Sequence, residues 1–173
     1  MQPWDLSSVV DPRHRCPLHE LPQGWDFEYL QVEPDRRGHP IFRPVVPVRL
    51  ETSQLSPVFA LVDSRCEHCL AGSWLAEEIG IDLTASTDTL ELGIGGRTAT
   101  ATFAEAEMQL HRDDTSDEYV TWRADVGFIE PWDAQFFVIL GQTGFFDESA
   151  VTMSRRLLTV VIEDPQALHL RRS

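Results

Sequence analysis

Residues 57–62, Pro-Val-Phe-Ala-Leu-Val, form an unbroken apolar run that stops at a carboxylate, Asp63. A run this short, rich in β-branched and apolar side chains, reads as a strand buried on both faces. It is far too short to cross a bilayer, as is the similar run at 136–140. A charge at the mouth of a buried strand costs free energy unless it has partners or a task there. Much of what this chain can be is therefore decided around Asp63.

The neighbouring sequence repeats the strand theme. Val46, Val48 and Leu50 alternate across 44–50. Residues 90–94 and 98–103 flank Gly95-Gly96, a pair that supplies the positive φ of a tight hairpin turn. The second arm continues through 104–111, an acidic polar turn follows at 111–118, and 119–128 returns as strand. Residues 136–140, 151–154 and 157–163 read as further strands. Leu70, Trp74, Leu75 and Ile79 share one side of a helical pattern over 70–79, stopped by Gly80. A short helical turn is expected at 144–149. Six prolines between Pro3 and Pro40 mark residues 1–42 as an arm with little regular structure, anchored by Trp4 and Trp25. Residues 43–163 then form one domain and 164–173 a tail. Ten glycines and eleven prolines, scattered rather than clustered, suit many short elements, and an all-β fold is expected.

Charge narrows the partners. The 173 residues carry 28 acidic and 14 basic side chains, a formal charge of −14, which repels phosphate backbones and anionic lipid. Nucleic-acid and membrane binding are not expected. Every basic residue other than histidine is Arg, and Lys and Asn are absent, a bias that suggests a GC-rich, bacterial genome. The first residues lack the apolar stretch of a secretion signal, and three cysteines imply no disulfide framework. A reducing cytoplasm is the expected compartment.

Three motifs occur in a fixed order. Ala60-Leu61-Val62-Asp63-Ser64-Arg65 is an apolar strand running into Asp-Ser. Leu92-Gly93-Ile94-Gly95-Gly96 is a glycine-rich hairpin whose first glycine lies 30 residues after Asp63, and Val138-Ile139-Leu140-Gly141 places its glycine 78 residues after it. Together they resemble the retropepsin-like aspartic proteases over roughly residues 43–163, and Leu75-Ala76-Glu77-Glu78-Ile79-Gly80 resembles bacterial members. The resemblance implies an all-β acid-protease barrel with one or two short helices, and a dimer. It implies Asp63 as the catalytic carboxylate and Ser64 as a hydroxyl lock between subunits. Arg65, Glu67, Gly93, Ile94, Gly95 and Gly96 would line the substrate site, with Ile139, Leu140 and Gly141 as the structural motif. No cofactor is implied.

The chemistry needs two carboxylates sharing one proton: one activates a water and the other polarises the scissile carbonyl. The chain holds one candidate. Asp113-Asp114-Thr115 and Asp147-Glu148-Ser149 do not fit the pattern, so the pair requires a second copy across a two-fold axis.

Arg65 departs from the family, which has Gly there. A guanidinium beside the carboxylates favours their ionised form, and a two-pronged pair with Asp63 would block the water site. Either effect weakens catalysis, and an outward Arg65 leaves it intact; the balance leans toward impairment. A second reading is thus an inactive module that binds an extended peptide or dimerises. A third is a zinc-stabilised β-domain built on Cys16, His19, Cys66 and Cys69. The ligands fall in two halves far apart in sequence, so packing cysteines are favoured over a metal site.

Overall fold

The computed structural model describes residues 24–50, 56–94, 96–113, 115, 119–132 and 134–163. Among them, in chain order, run β1 (Gly24–Glu28), β2 (Leu30–Val32), β3 (Ile41–Arg43), β4 (Val45–Leu50), β5 (Val58–Val62), β6 (Cys69–Gly72), α1 (Ser73–Glu78), β7 (Thr89–Ile94), β8 (Arg97–His111), β9 (Tyr119–Ile129), β10 (Val138–Leu140), β11 (Val151–Ser154) and β12 (Thr159–Glu163). Among the described residues a 3-10 turn spans Leu83–Ala85. The all-β expectation holds, with one short α-helix.

Six strands close a ring in the order β4-β5-β10-β6-β9-β8, and β8 pairs back onto β4 through Val48↔Leu110 and Leu50↔Met108. Closure leaves no free edge among those six. β5 runs parallel to β10, and β6 runs parallel to β9, while the other ring pairings are antiparallel. β7 attaches to β8 alone. The pairing of β8 with β9 begins at Ala101↔Ile129, so among the described residues the stretch of β8 from Arg97 to Thr100 pairs with β7 alone. This part of the hairpin is therefore a two-stranded ribbon that shares no backbone pairing with the rest of the ring. Gly96 turns it at φ +82°, as the glycine pair implied.

β8 and β9 bury both faces. Ala106, Met108, Leu110, Ala124, Val126 and Phe128 point into the barrel core with Val46, Val62, Val138 and Leu140. Ala101, Phe103 and Ile129 face the other way and join Leu70 in a smaller cluster outside the ring. Burial along β8 accordingly shifts from odd to even positions between Phe103 and Ala106, although the register with β9 continues without a bulge. A second, three-stranded sheet, β1-β12-β11, packs Phe27, Val160 and Ile162 into the main core.

Four local expectations are corrected. Residues 69–72 are strand, and α1 begins only at Ser73, because β6 is sandwiched between β10 and β9 and its four residues are fully buried. Sheet pairing on both sides outweighs a weak helical period. Within the arm, the chain from Gly24 is regular: β1 pairs with β12 over five residues, and Trp25 and Phe27 supply its apolar contacts. At 144–149 there are turns rather than a helix. The N–H groups of Phe146 and Asp147 reach back five residues, to Gly141 and Gln142, and Gly144 has φ +92°. The start of the last strand also moves to Thr159, since Leu158 sits at φ 51° in the preceding turn. Residues 1–23 and 164–173 lie outside the described residues.

No helix among the described residues is long and apolar enough to cross a membrane. The packing sets a stability test. Phe128 is 2% exposed in the barrel core, whereas Phe59 is 44% exposed. Phe128→Ala is expected to cost about 3–5 kcal/mol in chemical denaturation. Phe59→Ala is expected to cost well under half of that.

Candidate active site

Asp63 extends β5 by one hydrogen bond: its N–H donates to the carbonyl of Leu140 at 3.0 Å. It is half-buried, between the fully buried Val62 and the exposed Ser64 and Arg65. The chain then turns tightly. The Arg65 N–H donates to Oδ1 of Asp63 at 3.0 Å, and the Cys66 N–H donates to the Asp63 carbonyl at 3.1 Å. An aspartate that accepts from a backbone N–H two residues on stabilises its own turn.

The loop that follows is zipped onto the segment after β10. Gln142 N–H donates to the Cys66 carbonyl at 2.9 Å, and Thr143 N–H donates to the Glu67 carbonyl at 2.8 Å. Cys69 N–H returns a bond to the Thr143 carbonyl at 3.3 Å. The two backbones lie so close that a Cβ on Gly141 would run into the carbonyl of His68 and come within 2.9 Å of the Cys66 carbonyl oxygen. Glycine is required there for this reason. Leu140 lies in the barrel core, and Ile139 packs against the outer cluster.

That outer cluster supports the loop from beneath. Cys66 packs against it, as do Leu92 and Ala99, register partners within the two-stranded ribbon. The His68 ring meets Phe103 edge-on at 5.1 Å. The Asp63 loop and the hairpin thus rest on one apolar patch.

The predicted site residues fall as follows. Asp63, Ser64, Arg65 and Glu67 share this one loop, with the last three exposed. Gly93 is paired with Thr98 in the hairpin, and Gly96 forms its turn. Gly95 and the side chain of Ile94 lie outside the described residues. Arg65 makes no ion pair among the described residues, and its contact with Asp63 runs through its backbone N–H. Cys66 and Cys69 are free thiols. Burial pushes both thiols up, Cys69 to about 12, and Cys66 Sγ donates to the His68 carbonyl at 3.2 Å. No cluster of His, Cys, Asp or Glu among the described residues could hold a metal, and Cys16 and His19 fall outside them.

Sequence reasoning missed Gln142, whose side-chain amide donates to the Ser64 carbonyl at 2.5 Å across 78 positions of sequence. Only its place directly after Gly141 could have drawn attention to it.

Two outcomes follow. Gly141→Ala is expected to cost at least about 1–3 kcal/mol, read by chemical denaturation, because two backbone carbonyls must give way. Cys69 holds its proton to about 12 when folded and to about 9.0 when unfolded. Its contribution to stability is therefore complete below 9.0 and is lost as pH rises toward 12. The denaturation midpoint should fall over that window, with a shallower slope in Cys69→Ala.

No protein-family model matches the sequence, and no curated protein matches it. Solved structures do match. The chain is similar to the retroviral protease-like domain of Ddi1 from Leishmania major, at 15% identity over 70% of this chain and 89% of that one, with a TM-score of 0.44. It is also similar to a retropepsin-like aspartic protease from Rickettsia conorii, at 12% identity over 79% of this chain and 98% of that one, with a TM-score of 0.45.

Proposed function

We propose that this chain is an aspartic-type endopeptidase that works as a homodimer, with one Asp63 contributed by each copy. The observation that carries this reading is the Asp63 turn itself. A half-buried carboxylate ends a central strand, one of its oxygens is held by a backbone N–H, and the loop is locked onto Gly141. A carboxylate fixed this way is oriented in advance, as proton transfer to or from a water requires. A symmetry-related Asp63 would complete the pair that shares one proton. Ser64, exposed beside it, would meet its counterpart across the two-fold axis.

An extended peptide would lie between this loop and the hairpin of β7 and β8, pairing with the ribbon as an added strand. Arg65 is compatible with activity in this reading. It makes no ion pair among the described residues, so the Asp63 carboxylate is not closed off by its own neighbour. Glu67, exposed two residues further on, would seat the substrate backbone.

The test is cleavage of a mixed peptide pool across roughly pH 4 to 7, since the pair works with one carboxyl protonated and the other ionised. Wild type is expected to cleave, and Asp63→Asn to lose roughly 10²- to 10⁴-fold in rate. Arg65→Gly should stay active. Sedimentation should show a dimer, and a monomer at micromolar concentration would sink the proposal. A wild type that leaves every peptide intact while Arg65→Gly cleaves would favour an inactive peptide-binding module.

A further inference from the structure

The peptide group joining Ser64 to Arg65 is held at both ends. Its N–H, on Arg65, donates to Oδ1 of Asp63 at 3.0 Å. Its carbonyl, on Ser64, accepts from Nε2 of Gln142 at 2.5 Å. One peptide group therefore separates the Gln142 amide from the Asp63 carboxylate. Hydrogen bonds in series polarise one another. A donor on the carbonyl oxygen draws electron density out of the amide and makes its N–H a better donor. The acceptor at the far end is a carboxylate, and charge-assisted bonds are the stronger kind.

The root of the Gln142 side chain is fixed separately. Its N–H donates to the Cys66 carbonyl at 2.9 Å, and its carbonyl accepts from the Asp147 N–H at 3.1 Å. Loss of the side-chain amide would leave this main-chain crossing in place, together with the bond from Thr143 to Glu67. The side chain is not needed to build the loop. What it restrains is rotation of an exposed turn peptide, a motion that would carry the Arg65 N–H away from Asp63.

We propose that Gln142 is a positioning residue for Asp63: its side-chain amide pins the Ser64–Arg65 peptide, so that Oδ1 keeps its donor and the carboxylate keeps one orientation. The catalytic consequence rests on the peptidase reading above, and the structural one does not.

The experiment compares the full chain with Gln142→Leu and, at about pH 7, Gln142→Glu, the second close in size but unable to donate when ionised. Nitrogen-15 labelling reads the Arg65 amide directly, and peptide cleavage reads kcat and KM. In both variants the Arg65 amide proton should move upfield and exchange faster with solvent, while the amides of Val138–Leu140 stay put. In a cleaving chain kcat should fall by roughly 10- to 100-fold with KM changed by less than about threefold. An Arg65 amide unmoved in both variants overturns the proposal. So does an unchanged kcat in a cleaving chain, or a fall in kcat that only follows a lowered melting midpoint. A shifted Arg65 amide in a chain that cleaves nothing supports the clamp and counts against the peptidase reading alone.

Discussion

The parallel pairing of β5 with β10 is the contact on which the site depends. Val62 and Leu140 are register partners, and the next bond, from Asp63 N–H to the Leu140 carbonyl, fixes the carboxylate at the strand end. Parallel neighbours cannot be joined by a tight turn. The chain between them makes β6, α1, the β7–β8 hairpin and β9 before it returns, and most of the barrel must form to bring Leu140 back. Such non-local closure is slow to form and all-or-none in effect. Asp63 has no local substitute for this contact.

The surroundings of Asp63 follow from β8 and β9 burying two faces. One face fills the barrel, and the other makes a small outer cluster of Leu70, Ala101, Phe103 and Ile129. A loop is ordinarily solvated and loose. Here Cys66 and His68 rest on that cluster and the backbone is zipped to 141–143, so the turn carrying Asp63 has both an apolar floor and a hydrogen-bonded wall.

How much of this the sequence revealed depended on the range of the interaction. The run at 58–62 and the alternation at 46, 48 and 50 reflect burial that is visible residue by residue, and both are strands. Gly141 was legible only through the resemblance, as the glycine that follows Val138-Ile139-Leu140; the close approach of His68 that requires it comes from a distant loop. Residues 69–72 were misread because Cys-Leu-Ala-Gly has no decisive period, and only its two strand neighbours make it extended. β1 hid among prolines, since its partner, β12, lies more than a hundred residues away. Gln142 was invisible for a related reason: a glutamine side chain gives no sign of where it will reach.

The ring closes through the contact between β4 and β8, and β7 takes no part in it. Bending the ribbon of β7 and the first residues of β8 away from the barrel breaks none of the ring's own hydrogen bonds. What resists the swing is instead the packing of Leu92 and Ala99 on the outer cluster. Because Cys66 of the Asp63 loop rests on the same cluster, a side chain that tunes how readily the ribbon swings also touches the floor beneath Asp63.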